Sequence, residues 1–321
     1  MSASLAERFA VPGVRRDTPA HEAAAWILAS RASAVFELAP RAATGEDMDA
    51  VHDLRVASRR TREALAIFAP LYRPKAHRTW SRVMRGVTRA FGAVRDADVF
   101  LAEFRSLATD AARRDEALAL AWLIGRAEGA RPALLETARG AMSHLHLDGR
   151  AEAWDSFVGV AKAPSAGGGT LADLARDELA GRVERVCAGV PAALVEPAGS
   201  EQHRLRIAVK KLRYAVETFA PCLGHSLEEV YPALKSMQDA LGEVHDRDVF
   251  IAAVRDAGSL GAATDAGVLP AGIEAVVSDL STERSRQFRV FEALIAQWPR
   301  QRLSAALTIG EAQPARDHHG A

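Results

Sequence analysis

Val51-His52-Asp53-Leu54-Arg55-Val56-Ala57-Ser58-Arg59-Arg60-Thr61-Arg62 returns later in the same chain as Gln202-His203-Arg204-Leu205-Arg206-Ile207-Ala208-Val209-Lys210-Lys211-Leu212-Arg213. The offset from His52 to His203 is 151, and it holds through Phe68-Ala69-Pro70 against Phe219-Ala220-Pro221. A second block, Phe91-Gly92-Ala93-Val94-Arg95-Asp96-Ala97-Asp98-Val99-Phe100, returns as Leu241-Gly242-Glu243-Val244-His245-Asp246-Arg247-Asp248-Val249-Phe250 at an offset of 150. Two separated blocks sharing almost one offset mark an internal duplication.

Wound as a helix, the first stretch puts Leu54, Ala57, Thr61, Leu65 and Phe68 on one face, where they can pack into a core. His52, Arg55, Arg59 and Arg62 fall on nearly the opposite face. The copy sorts in the same way, with Leu205, Ala208, Leu212, Val216 and Phe219 against His203, Arg206, Lys210 and Arg213. Each helix then carries cations spaced about 4.5–6 Å along its axis, flanked by Arg60 and Lys211. On the next helix Arg78, Arg82, Arg85 and Arg89 share one narrow face, with no acid three or four residues away on that helix. The copy replaces them with Glu228, Pro232, Lys235 and Asp239, so the first half is expected to hold an anion more strongly.

The whole composition is that of a globular chain: 321 residues, 49% apolar, 26% charged and 6% aromatic. Ala, Leu, Arg and Glu dominate, all good helix formers, and no stretch alternates with the period of a strand. The formal charge is zero, from 41 basic and 41 acidic side chains, so any anion-binding reading rests on where the charges lie. Between residues 51 and 95 there are eleven Lys or Arg against Asp53 and Glu63; between 203 and 213 there are five and no acid. Acids concentrate in 101–200 and 226–248. Cys187 and Cys222 fit no metal spacing and read as buried or free thiols of a reducing compartment. No signal pattern opens the chain, and the longest apolar run, Ala117 to Ile124, is far shorter than a membrane span. A cytoplasmic protein is expected.

The organisation expected from these signals is a loose N-terminal tail over 1–16, a helical repeat over 17–160, a flexible Gly-rich linker over 161–170, a second repeat over 171–300 and a loose tail over 301–321. Helices are expected near 19–39, 50–69, 75–91, 97–107 and 112–142, then 171–188, 201–219, 226–241, 247–256 and 271–298. Pro70 and Pro221 close the motif helices, while Gly92 and Gly242 break the chain before Asp96 and Asp246, which read as N-caps or arginine partners.

The paired motif resembles the conserved-histidine α-helical domain, the CHAD family. His52-x-Leu54-Arg55-x3-Arg59-Arg60-x-Arg62, the fuller second copy through Tyr214, Glu217 and Phe219, and the two Asp-x-Asp-Val blocks carry the likeness, which covers roughly 17–300. It implies an all-α fold, a pseudo-twofold pair of four-helix bundles around a basic groove or pore. It also implies binding of inorganic polyphosphate and association with polyphosphate granules, with granule-associated proteins as further partners. Carried onto this chain, the implied contacts are His52, Arg55, Arg59, Arg60 and Arg62, then His203, Arg206, Lys210, Lys211 and Arg213. Arg85 and Lys235 are the matched pair of the next helix, and Arg31 and Arg182 match on the first helix of each half. Glu217 departs from the basic pattern and reads as a structural partner orienting Arg206 or Arg213. Family members are often fused to a triphosphatase domain opening with Glu-x-Glu-x-Lys; no such motif occurs here, so a binder without the hydrolytic half is expected.

Three other functions compete. His52-Asp53 and His245-Asp246 spell a dipeptide that a metal-dependent phosphohydrolase can use, but the remaining ligands at helical spacing are missing, and no metal or cofactor is expected. Nucleic acid also binds basic helices, yet the rows carry no interleaved aromatics for stacking and no Asn or Gln for base edges. A scaffold that binds only protein partners is compatible with the tails but names none.

Overall fold

The carboxylate of Asp47 accepts a hydrogen bond from the Ala50 N–H at 2.8 Å and so caps the helix bearing the first motif. In the computed structural model, which describes residues 4–45, 47–111, 113–147, 149–161, 169–195, 199–263 and 270–310, this is α3, Met48–Ile67. It follows α1 (Leu5–Phe9) and α2 (Ala20–Thr44), and precedes α4 (Pro74–Ala90), α5 (Gly92–Asp110), α6 (Arg114–Ser143) and α7 (Ala151–Val158). The remainder is α8 (Leu171–Ala193), α9 (Gly199–Thr218) with the second motif, α10 (Ala220–Leu223), α11 (Ser226–Ala263), α12 (Pro270–Gln297) and α13 (Arg300–Ala306). Among the described residues no strand forms; a single isolated bridge joins Pro19 to Thr170. The fold is all-helical, and no described helix is long and apolar enough to cross a membrane.

The expected apolar faces are the buried ones. Leu54, Thr61, Leu65 and Phe68, like Leu205, Leu212, Val216 and Phe219, are almost wholly removed from water. They meet in one continuous core that draws on both sequence copies. That shared core packs α3 against α9, with α2 and α4 flanking the first and α8 and α11 the second. A second, smaller core joins α5 and α6 to the far end of α11 and α12 through Phe104, Leu120, Phe250, Val254 and Val277. Asp98 accepts from Arg131 at 2.7 Å across α5 and α6, and its repeat counterpart Asp248 accepts from Arg284 at 2.5 Å across α11 and α12.

Several expectations are corrected. Asp96 and Asp246 are not N-caps: α5 already starts at Gly92, and α11 runs unbroken through Gly242. A glycine costs a helix about 1 kcal/mol relative to alanine, which burial of Leu241 and Val244 on either side outweighs. The first half does turn at this place, where Phe91 ends α4 in a non-helical conformation. The N-terminal segment is not a loose tail, because Phe9 is buried with its ring 4.8 Å from that of Tyr231 and Val14 is buried as well. At the other end α13 buries Leu303, and Leu307 and Ile309 follow it into the main core. These apolar residues are too sparse to show a period, but they are buried in the main core. Residues 311–321 of the second tail and 162–168 of the linker lie outside the described residues. The end of the linker is held: the Ala20 N–H donates to the Gly169 carbonyl at 3.0 Å and the Leu171 N–H to that of Thr18 at 2.8 Å.

The close approach of α12 to α6 depends on Gly272, where an added Cβ would lie 2.2 Å from the Asp115 carbonyl oxygen. Gly272→Ala is expected to lower stability by about 1–3 kcal/mol, read as an earlier midpoint in urea; an unchanged midpoint contradicts this contact.

Candidate anion-binding site

Packing α3 beside α9 turns the two motif rows toward one cleft, in which two cavities adjoin. The larger, about 700 Å³, is lined by Arg59 and Arg62 of α3, His77, Arg78, Arg82 and Arg85 of α4, and Lys210, Lys211 and Tyr214 of α9. The smaller, about 430 Å³, is lined by His52, Arg55 and Arg59, by Arg95 and Asp96 of α5, by His203, Arg206 and Lys210, and by His245 and Asp246 of α11. Arg59 and Lys210 line both. The motif histidines therefore open onto the same cleft.

The larger cavity holds seven Lys or Arg and one carboxylate, Glu63, which is already engaged by Arg182 at 2.6 Å. Arg78, Arg82, Arg85 and Arg89 are exposed and form no ion pair among the described residues. Arg62 feels this crowding: burial, then Arg85, Arg59 and Arg89, lowers its pKa. Burial, then Arg59, Arg206 and Arg62, brings the Lys210 amine down to about 8.

The smaller cavity is more mixed. Asp96 and Asp246 line this cavity beside Arg55 and Arg206 and act on them electrostatically. Arg55 donates to the Thr88 carbonyl at 2.9 Å, while the buried Nε of Arg206 has no hydrogen-bond partner among the described residues. His203 and His245 face each other with their Nδ1 atoms 3.3 Å apart. Burial, then Arg206 and His203, lowers His245 to about 4. His52 and His203 are lowered too, chiefly by burial and then by Arg95 and Arg206 respectively. Among the described residues no three His, Cys, Asp or Glu side chains are placed to hold a metal ion.

The sequence matches the CHAD domain over residues 27–255. This chain belongs to the CHAD family. Its fold is similar to the crystal structure of the CHAD domain from the plant Ricinus communis, with a TM-score of 0.62 at 21% identity over 94% of this chain and 96% of that one. It is equally similar to PptA from Streptomyces chartreusis, with a TM-score of 0.62 at 20% identity over 90% of this chain and 99% of that one. No curated protein matches the sequence.

Not every arginine of the CHAD motifs reaches the cleft. Arg60, Arg31 and Arg213 gather instead on Glu217, which is fully buried and accepts hydrogen bonds from them at 3.4, 3.5 and 2.8 Å. Arg213 also donates to Tyr231 at 2.8 Å and to Gln238 at 2.9 Å. Glu217 thus orients Arg213, as its place in the sequence suggested, and not Arg206. Arg182 is buried between Glu63 and Glu178. Lys235 lies on the outside of α11, paired with Asp239 at 2.5 Å, and Arg89 lines neither cavity although it acts on Arg62. These six were expected among the anion contacts; the structure gives all but Arg89 a carboxylate partner. Conversely His77, Arg95, Tyr214 and His245 line the cleft without having been named among the anion contacts. Arg95 and His245 had a signal, since they occupy one position of the second repeated block. His77 had none, because only its place on α4 brings it there.

Removing Glu217 leaves three guanidiniums crowded without their anion. Glu217→Ala is expected to cost about 3–5 kcal/mol of folding stability, measured by urea denaturation; a loss below 1 kcal/mol contradicts the structural role.

Proposed function

We propose that this CHAD protein binds inorganic polyphosphate passively in the cleft between α3, α4 and α9. The observation that carries the reading is the set of unpaired cations of both motif helices and of α4 lining adjoining cavities. Closely spaced guanidiniums suit bidentate contact with phosphate oxygens, and a chain bearing charge at every unit meets many of them at once. Partial exclusion of water strengthens each contact. The zero net charge is no obstacle, because of the described acids only Glu63, Asp96 and Asp246 line the two cavities.

The offset motifs further support an ancient duplication that produced two pseudo-symmetric four-helix bundles around this cleft. The same reading makes the protein a binder without hydrolytic activity, located in the cytoplasm on polyphosphate granules with protein partners there. Polyphosphate incubated with the protein and Mg²⁺ or Mn²⁺ is expected to release no phosphate; steady release that disappears in His52→Ala overturns the non-enzymatic part.

Arg78, Arg82 and Arg85 replaced together by Ala are expected to weaken binding more than tenfold and to reduce the salt slope by about 2–3. Replacement of Arg105, Arg114 and Arg126, which lie outside the cleft, is expected to change it little. Equal losses in the two triple variants, or a preference for DNA over polyphosphate of equal charge at physiological salt, overturn the assignment.

Binding is also expected to take up protons. His52, His203 and His245 are held below their ordinary range in the free cleft, and Lys210 is held near 8. An arriving anion raises all four, so the complex holds more protons than the free protein and affinity climbs as pH falls from 9 to 6. Calorimetry in buffers of different ionisation enthalpy reads the uptake directly; affinity independent of pH over that range contradicts it.

A further inference from the structure

Lys210 occupies the seam between the two cavities. The chain has five lysines, at positions 75, 162, 210, 211 and 235. Lys75 and Lys211 are exposed, and Lys235 is paired with Asp239. Lys210 is instead half-buried, with Arg59 and Arg62 of α3 and Arg206 of its own helix acting on it. The one acid that acts on it, Glu63, is already bound to Arg182. No carboxylate pairs with Lys210 among the described residues.

An arginine keeps its proton near neutrality, whereas a crowded lysine releases it. In the free cleft burial and the three guanidiniums bring this amine down to about 8, so near pH 8 about half of it is neutral before an anion arrives, and the neutral amine is the nucleophile. The surrounding arginines remain charged and can hold a phosphate beside it. A small molecule that joins a phosphate to an electrophilic carbonyl is thereby delivered to an amine at the point shared by both cavities.

We propose that Lys210 is an acylation site for acyl phosphates, whose phosphate the cleft arginines hold while the amine attacks the carbonyl carbon. The inference rests on the anion-binding reading and adds a means of regulating the same cleft. The nitrogen lone pair forms the new N–C bond, and the C–O bond to phosphorus breaks with its electrons going to the departing phosphate. The nitrogen's proton passes to that phosphate, giving an amide and inorganic phosphate with no other reactant. Guanidiniums stabilise the charge that develops on the leaving oxygen. The amide is neutral, so the cleft loses a cation at the point shared by both cavities and its hold on a polyanion weakens.

The test uses the full chain and acetyl phosphate at pH 8, with acylation of each lysine followed by mass spectrometry. Lys210 is expected to react at least about tenfold faster than the exposed Lys75, which lines neither cavity, because the reagent is held beside it. Tripolyphosphate is expected to suppress that advantage. Reaction at Lys210 no faster than at Lys75, or fast reaction that tripolyphosphate leaves untouched, overturns the proposal. The same sample is titrated calorimetrically with tripolyphosphate. Binding without selective acylation refutes the modification site alone, whereas absence of binding removes the anion-binding reading and this inference together.

Discussion

Two buried carboxylates tie the halves of this chain together. Glu217, on α9, takes Arg31 from α2 and Arg60 from α3, while Glu63, on α3, takes Arg182 from α8. Each motif helix thus supplies an acid to an arginine of the other half. Ion pairs of this kind are poor sources of net stability, because removing two charges from water costs several kcal/mol per ion. Their strength is directional: the pairing is satisfied only when α3 and α9 lie side by side in one register. That register sets the cleft.

Once the helices are so placed, the cations divide into two populations. Those facing Glu63 and Glu217 are neutralised in the interior. Those on the other side of each helix face one another across the cleft with little compensation, and burial, followed by the neighbouring cations, lowers the pKa of Arg62, Lys210 and the three histidines. Burial of Leu54, Phe68, Leu212 and Phe219 in a single shared core offsets that repulsion. On the proposed function an anion entering the cleft would relieve it, so the repulsion between these cations would favour binding.

The two cavities are not equivalent. α4 contributes an unopposed arginine row to the larger one, while its counterpart on α11 carries Lys235, held by Asp239 and turned away. The smaller cavity mixes cations with Asp96, Asp246 and facing imidazoles, so its charge responds to protons as well as to ligand. Strong, permanent charge at one end and adjustable charge at the other distinguish this cleft from a uniform basic surface. Lys210 stands at the junction and belongs to both regimes.

The amino-acid order by itself determined the two motif helices, their buried faces and the basic rows, because a period of 3.6 residues assigns each side chain a direction. It also marked Arg95 and His245 as equivalent, although not as cleft residues. It did not determine which cations stay free. Arg31 and Glu217 are 186 positions apart, and Arg182 and Glu63 are 119 apart; no spacing rule on one helix connects them. The unbroken course of α11 through Gly242 and the burial of Phe9 and Leu303 were likewise decided by packing between distant segments. Tertiary structure alone chose the partners, since an ion pair forms wherever folding brings opposite charges within reach in a space that excludes water.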